Sequence, residues 1–184
     1  MTRAPLPPFP APRALPALAD TLAAQHLALP PAGTADLPFL ADLYAGSRMA
    51  ELLLAPWPAE QKRAFLNEQF ALQHAHFVKT HRKGDFRLVT RAEQPVGRLY
   101  FNRTGPEWVL IDILLTAGMQ GSGTGGALVG WLQQAAADAG ADRLRLSVAY
   151  TNPRAHAFYQ RLGFEDAGDV AGTHLSMLWR PIRR

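Results

Sequence analysis

An apolar stretch, a run of glycines and a helical pattern follow one another between Leu115 and Leu132, and this succession restricts the fold more than any other part of the chain. The glycines stand at positions 121, 123, 125, 126 and 130 of the segment LTAGMQGSGTGGALVGWL. The first amides of a helix have no internal hydrogen-bond partners and carry partial positive charge. Glycine lets a phosphate reach them, because no Cβ blocks the approach. The segment therefore predicts a phosphate-binding loop, with a flexible linker as the alternative.

Two common phosphate motifs fit this segment poorly. A Walker loop needs a lysine and a hydroxyl residue after its last glycine, whereas Gly126 is followed by Ala127 and Leu128. Gly121, Gly123 and Gly126 do have the G-x-G-x-x-G spacing of a dinucleotide-binding loop. However, no acidic residue closes the next predicted strand, and only about sixty residues follow the glycines, too few for a doubly wound sheet. Both motifs are therefore disfavoured.

Apolar periodicity predicts the secondary structure of the rest of the chain. Asp36 is a candidate N-cap for one helix, and Pro58 is a candidate first residue of a second helix, which ends before Gly84. A turn around residues 93–94 is predicted to join two strands. In chain order, we predict a short helix within 17–25, a strand near 26–29, helices from 36 and from 58, strands at 86–91, 96–102 and 108–115, a helix at 124–139, a strand at 143–149, a short helix closed by Gly163, and a strand at 174–180.

This order of elements indicates an α+β (mixed α/β) domain. The helix after the glycines is a crossover connection, and such a connection makes its two flanking strands parallel. We therefore expect a central, mostly antiparallel sheet of six or seven strands flanked by helices, with one parallel pair formed by the strands near 107–115 and 143–149.

The first 31 residues contain eight prolines, which predicts extended or irregular structure from Thr2 to Pro16. We therefore expect a proline-rich N-terminal arm over residues 1–25, followed by a single domain over residues 26–184. A disordered tail is one interpretation of the arm. The apolar residues Leu6, Phe9 and Leu15 offer the other, in which the arm is fastened to the domain.

Composition and charge limit the chemistry and the kinds of partner that the sequence allows. The chain has no cysteine, so disulfides and thiolate chemistry are excluded, and no apolar run reaches the roughly 18 residues of a membrane span. The net charge of +4 is not arranged as a basic stripe with interleaved aromatics, so a nucleic-acid partner is not expected, and a small anionic cofactor suits the charge as well. His74 and His76 point to different faces of a helix, so no metal is expected. We expect a cytoplasmic protein with no membrane partner, and a homodimer stays open.

Two motifs resemble the GNAT superfamily of N-acetyltransferases. The sequence Gln120-x-x-Gly123-x-Gly125 is similar to that family's acyl-CoA pyrophosphate loop, Q/R-x-x-G-x-G/A. The segment LSVAYTNPRAHAFYQRLGFE is similar to its second signature, in which a strand, an asparagine and a helix with an aromatic pair precede Leu-Gly-Phe. The resemblance covers about residues 26–180, and it departs from the family at Ala117, where proline is common, and at Gln120, where arginine is commoner. It implies a GNAT-like three-layer fold and the cofactor acetyl-CoA (coenzyme A).

The resemblance also implies roles for individual residues. Tyr159 takes the position of the general acid, and its phenol, with an ordinary pKa near 10, is protonated at neutral pH. The alternative is a core tyrosine that packs beside Phe158. Asn152 would bind the pantetheine arm, and it is also a candidate helix N-cap before Pro153. The implied cofactor-binding residues are Leu115, Ala117, Gln120, Gly121, Ser122, Gly123, Thr124, Gly125, Gly126, Asn152 and Tyr159.

The sequence defines the catalytic base and the acetyl acceptor less closely than it defines the cofactor-binding residues. Asp112 lies in an apolar strand, where a carboxylate is unexpected without a partner. It is either the catalytic base, or an aspartate that is paired with a neighbouring arginine or exposed on one face of the sheet. Glu51 and Arg48 are candidate substrate-binding residues for a cationic and an acidic acceptor group. We expect the acceptor, a primary amine of a small molecule or a protein amino group, to enter between residues 36–80 and the sheet, with the last strand as the other wall. A non-catalytic acyl-CoA sensor of the same fold is the alternative.

Overall fold

A computed structural model describes residues 5–182. Seven strands form one sheet in the order β1-β2-β3-β4-β5-β7-β6, and every neighbouring pair is antiparallel except β4 and β5. The elements are α1 Asp20–Ala23, β1 Leu27–Ala28, α2 Leu37–Arg48, α3 Ala59–Thr80, β2 Asp85–Arg91, β3 Gln94–Asn102, β4 Glu107–Leu115, α4 Thr124–Asp138, β5 Arg143–Ala149, α5 Pro153–Arg161, β6 Glu165–Val170 and β7 His174–Trp179. The predicted mixed sheet with one parallel pair is confirmed.

Alternation along the strands divides the core into two layers, because successive side chains of a strand point to opposite faces of the sheet. On β3, Leu99 and Phe101 face the side covered by α1, α4 and α5, whereas Tyr100 faces α2 and α3. Leu128 and Leu132 of α4 are completely buried against the first side. Each such side chain contributes about 1.5–3 kcal/mol of transfer free energy. The result is a three-layer arrangement of helices, sheet and helices.

The structure differs from the sequence-based predictions at several element ends. Asp36 occupies the N-cap position of α2, but its carboxylate accepts a hydrogen bond from the Gly33 amide at 2.7 Å instead of capping the helix. Pro58 is the N-cap of α3, not its first residue. The β2–β3 turn lies one residue earlier than predicted, at Ala92 and Glu93, both with positive φ. The edge strand β6 was not predicted, because its exposed residues lack an apolar alternation.

The N-terminal arm packs across both layers without regular structure in residues 5–19. Leu6 and Phe9 contact the α2–α3 layer, and Leu15 contacts the opposite layer. Arg13 forms an ion pair of 2.6 Å with the buried Asp85, and the Trp131 indole donates to the Ala17 carbonyl at 2.9 Å. These contacts favour the fastened arm over a disordered tail for the described residues, and the domain boundary at residue 25 stays a prediction.

Burial of His74 makes the stability of this arm contact depend on pH. The His74 ring donates through Nε2 to the Pro7 carbonyl at 2.7 Å. Burial lowers the pKa of His74 below its usual 6.5; the bond to Pro7 opposes this shift, and the charge of Arg98 adds to it. Below pH 6.5, His74 therefore binds a proton more readily in the unfolded chain than in the folded chain. The contribution of His74 to the free energy of unfolding is fully present above pH 6.5 and is lost as the pH falls below it.

We expect His74→Gln, which keeps an Nε2 donor but cannot titrate, to reduce this pH dependence. One histidine contributes at most about 1.4 kcal/mol per pH unit to the free energy of unfolding. Urea unfolding between pH 7.5 and 5 measures the slope. The exposed His174→Gln is the control and should keep the wild-type profile. Because His81 also has a lowered pKa, part of the slope should remain in His74→Gln; an unchanged slope would contradict the role of His74.

Among residues 5–182, no helix has both the length and the apolar character needed to cross a membrane.

Candidate active site

The parallel strands β4 and β5 part soon after they begin. They pair only from Glu107 to Val109 of β4, opposite Arg143 to Arg145 of β5. On its other side, β4 stays paired with β3 as far as Leu115, with one extra residue, Ile111, in β4 at the register shift. Such a bulge bends a strand and increases its twist. The carboxyl-terminal half of β4 therefore lies beside an opening in the sheet and not beside β5.

A cleft of about 550 Å³ occupies this opening. Its volume lies within the usual range for small-molecule sites. The end of β4 and the glycine loop form one wall, and α5 forms the other. Its lining residues are Ile113, Leu114, Leu115, Met119, Gln120, Gly121, Gly123, Gly125, Gly126, Asn152, Arg154, Ala155, Phe158, Tyr159, Arg161 and Leu162.

The glycine loop presents bare backbone to the cleft. Gly121 and Gly123 have φ values of 75° and 84°, which L-residues adopt only with strain. A Cβ added at Gly121, Gly123 or Gly126 would meet no protein atom within 4 Å, so packing does not require glycine there. Gly123 is the N-cap of α4. Among the described residues, no partner accepts from the amides of Gly123, Gly125 and Gly126. The loop is thus an open cradle of amide donors at a helix N-terminus.

Side-chain hydrogen bonds stabilise the glycine loop. Ser122 donates through Oγ to the Met119 carbonyl at 2.7 Å, and its Oγ lies 2.9 Å from Oγ1 of Thr124. Thr124 is buried. Gln120 donates through Nε2 to the Leu115 carbonyl at 3.2 Å. Ala117, Ser122 and Thr124 do not line the cleft, so their predicted cofactor contacts stay predictions, whereas the other predicted loop residues are at the cleft surface.

Tyr159 reaches the same cleft from α5. Its ring packs edge-on against Phe158 and Phe164, with centroid distances of 5.1 and 5.7 Å. Its hydroxyl has no hydrogen-bond partner among residues 5–182 and is therefore free to donate to a bound molecule. Burial raises the pKa of the Tyr159 phenol well above its usual value of 10.0, and the negative charge of Asp112 raises it further. The phenol is protonated throughout the neutral range.

Asn152 joins β5 to α5 at the mouth of the cleft. Its Oδ1 accepts a hydrogen bond from the Ala155 amide at 3.0 Å, so the predicted N-cap is confirmed. A side-chain amide has two further donors on Nδ2. Because Asn152 also lines the cleft, those donors are available to a ligand.

Asp112 is paired with a buried arginine. Its Oδ2 accepts from Arg98 Nε at 2.7 Å, and Arg98 Nη2 donates to Gln73 Oε1, also at 2.7 Å. The Arg98 side chain is only 2% exposed, whereas that of Asp112 is 22% exposed. The ion pair that the sequence left as an alternative is therefore present. Asp112 is not a lining residue of the cleft, but its negative charge contributes to the raised pKa of the Tyr159 phenol.

Arg48 and Glu51 lie apart from the cleft lining. They form an ion pair of 3.1 Å with each other at the end of α2, and about half of each side chain is exposed. Their role in binding the acceptor stays a prediction.

The two charged residues in the cleft lining were not predicted from the sequence. Arg154 and Arg161 both line the cleft from α5. Their separation of seven residues, two helical turns, places them on one face of the helix. That spacing was the signal available in the sequence.

The loop geometry fits a diphosphate such as that of coenzyme A. Open space replaces the missing Cβ atoms, the exposed amides are unpaired, and the N-terminus of α4 carries partial positive charge. The cleft continues from the loop along the free edge of β4 to Tyr159, as a long, thin ligand requires. The residues present therefore fit the group.

Comparisons with known proteins place the chain in a family. A sequence profile of the Acetyltransferase (GNAT) family matches residues 46–164, more than half of the chain. No curated protein sequence matches the chain. Members of the profile's family use acetyl-CoA as cofactor.

Several solved structures share the fold. An acetyltransferase from Thermus thermophilus is 23% identical, with a TM-score of 0.63 over 84% of this chain and 97% of that one. The PaiA N-acetyltransferase from Thermoplasma acidophilum, in complex with coenzyme A, is 15% identical, with a TM-score of 0.63 over 84% and 99%. The spermidine/spermine N-acetyltransferase SpeG from Vibrio cholerae, in mutant forms, is 19% identical, with a TM-score of 0.54 over 84% and 94%. From the profile match, together with this shared fold, we conclude that the chain belongs to the Acetyltransferase (GNAT) family.

Proposed function

We propose that this protein transfers an acetyl group from acetyl-CoA to a primary amine, carried by a small molecule or by a protein, in a ternary complex. One observation supports this most strongly. The unpaired loop amides and the Tyr159 hydroxyl face a single cleft, which opens where β4 and β5 part. An anion-binding end and a proton donor are thus joined by one channel.

The two ends of the cleft have different tasks. When bound, acetyl-CoA supplies an acetyl thioester, whose carbonyl carbon an amine can attack with loss of the thiol. The amides of Gly123, Gly125 and Gly126 bind the diphosphate. Asn152 Nδ2 and the free backbone edge of β4 beyond Val109 bind the pantetheine arm. A donor preorganised at the thioester carbonyl typically lowers a barrier by about 3 kcal/mol.

Tyr159 is the proposed general acid. Its Oη holds a proton across the neutral range, because burial and the Asp112 charge both raise the pKa of the phenol. Without a hydrogen-bond partner in the described chain, it can donate that proton to the departing sulfur. Loss of this proton therefore does not limit activity until the pH exceeds the ordinary tyrosine value of 10.0.

Asp112 is the proposed base. The Arg98 guanidinium donates to Oδ2 of Asp112, and the Asp112 side chain stays 22% exposed on the part of β4 that no longer pairs with β5. It would accept the proton of the attacking amine directly or through one water molecule. Arg48 and Glu51 are the proposed contacts for charged groups of the acceptor. A cytoplasmic location and a homodimer also stay predictions.

We expect Asp112→Asn to lower kcat by about tenfold to a hundredfold, because asparagine still accepts from Arg98 but cannot take up a proton. Steady-state rates at saturating cofactor measure the change. The matched control is Asp42→Asn, since Asp42 is also paired with an arginine, Arg63, but does not line the cleft. If Asp112→Asn folds and keeps the wild-type rate, then Asp112 serves only the ion pair with Arg98.

The proposed function is tested by thiol release. The full chain is incubated with acetyl-CoA and a panel of amines that includes polyamines, because the Vibrio cholerae neighbour is by name a spermidine/spermine N-acetyltransferase. Free thiol is measured by a colorimetric reagent, and calorimetry measures acetyl-CoA binding. We expect binding and amine-dependent thiol release. Binding without release from any amine or protein substrate would favour the acyl-CoA sensor instead, and absence of binding would overturn both functions.

A further inference from the structure

The glycine loop has no charge of its own. Residues 116–127 include no acidic or basic side chain. Gln120 is neutral, and its side-chain amide already donates to the Leu115 carbonyl at 3.2 Å. A loop of this kind offers amide donors and a helix dipole, but no cation to balance a ligand that carries several negative charges.

The opposite wall supplies the missing cations. Arg154 and Arg161 line the cleft from α5, and neither forms an ion pair or a side-chain hydrogen bond within residues 5–182. Most other arginines of the described chain are paired with carboxylates, such as those of Asp85, Asp112 and Glu107. Two unpaired guanidinium groups beside a helix N-terminus form a strongly anion-attracting site.

The two groups are spaced for separate anions. Seven residues along a helix correspond to about 10 Å of axial rise. α5 packs directly beside the start of α4, since a Cβ at Gly125 would lie 3.6 Å from Phe158 Cζ, and Gln133 donates to the Leu162 carbonyl at 2.8 Å. The arginines therefore project from one face of α5, one on each side of the Phe158 contact with the loop. A ligand with two separated phosphate groups matches this arrangement.

Resting on the proposed function, we propose that Arg154 and Arg161 are the charged phosphate contacts of this site. One of them binds the 3′-phosphomonoester of the coenzyme A ribose, and the other supports the diphosphate held by the loop amides. Arginine suits both tasks, because its planar fork donates two parallel hydrogen bonds to a phosphate. The protein then selects coenzyme A over its 3′-dephospho form through a helix and not through the loop.

Calorimetry with coenzyme A and 3′-dephospho-coenzyme A tests the proposal on the wild type, Arg154→Gln and Arg161→Gln. We expect the wild type to bind coenzyme A about ten- to a hundredfold more tightly than the dephospho form. One variant should lose this preference while its affinity for the dephospho form is unchanged, and the other should bind both ligands more weakly by a similar factor. The control is Arg82→Gln, because Arg82 is exposed and does not line the cleft.

The possible results separate the two proposals. Equal affinity of the wild type for both ligands, or wild-type affinities in both variants, would overturn the role of the arginines and leave the acetyltransferase function standing. A wild type that binds neither ligand would instead overturn the proposed function and this inference with it. Circular dichroism of each variant establishes that the substitutions leave the fold intact.

Discussion

Gly123→Glu is expected to abolish coenzyme A binding while leaving the fold mostly intact. The new side chain starts in open space at the cleft and places a carboxylate at the N-terminus of α4, where the diphosphate would bind. Loss of two or more charge-assisted amide contacts, together with repulsion between like charges, should reduce affinity by roughly 10³-fold or more. Calorimetry with coenzyme A measures the loss, and the thermal midpoint reports on the fold.

Gly105→Glu is a matched control that separates the effect of backbone strain from the effect of the new charge in Gly123→Glu. Gly105 has φ of 81°, and a Cβ there also meets no atom within 4 Å, but it lies before β4, at the opposite end of that strand from the loop. Gly105→Glu should therefore lose a similar 1–2 kcal/mol of stability, roughly the cost of a left-handed conformation in an L-residue, and keep full affinity for coenzyme A. Retained affinity in Gly123→Glu would contradict the assignment of the phosphate loop.

Tyr159→Phe should lower kcat by roughly 10²- to 10⁴-fold, the range over which a positioned proton donor typically contributes. The ring contacts with Phe158 and Phe164 are kept, and the hydroxyl has no partner among the described residues, so stability and cofactor affinity should change little. Steady-state kinetics and calorimetry on the same preparation separate the two effects.

The control for Tyr159 is Tyr150→Phe, which removes an exposed phenol bonded to Asp169 at 2.7 Å and absent from the cleft lining. It should leave kcat unchanged. A wild-type rate in Tyr159→Phe would remove the general acid from the mechanism, and a weaker cofactor affinity with an unchanged kcat would assign the hydroxyl to binding alone.

Sequence patterns predicted most of this fold because the relevant signals are local. Leu144, Leu146 and Val148 alternate on β5 and are all buried. A helix crossover between two strands makes them parallel whatever else the chain contains, so the β4–β5 pair followed from the order of elements. β6 was missed because an exposed edge strand buries no face, and its residues therefore show no period.

The candidate site was predicted in part for the same reason. Glycines at the start of a helix and an asparagine before a proline are short-range signals, and the structure places Gly123, Gly125 and Asn152 at one cleft. Ser122 and Thr124 belong to the same segment, but their side chains turn inward to hold the loop, which spacing alone does not reveal.

What the sequence by itself determined is the order of elements, the parallel pair and the chemical character of the loop, since each depends on residues that are neighbours in the chain. The tertiary structure alone decided that β4 and β5 part after Val109, that Asp112 pairs with Arg98, and that two arginines of α5 remain unpaired at the cleft within the described part of the chain. The chain contains many arginines, and any of them could form an ion pair with a given carboxylate. Only the packing of segments that are distant in sequence decides which arginine pairs with it.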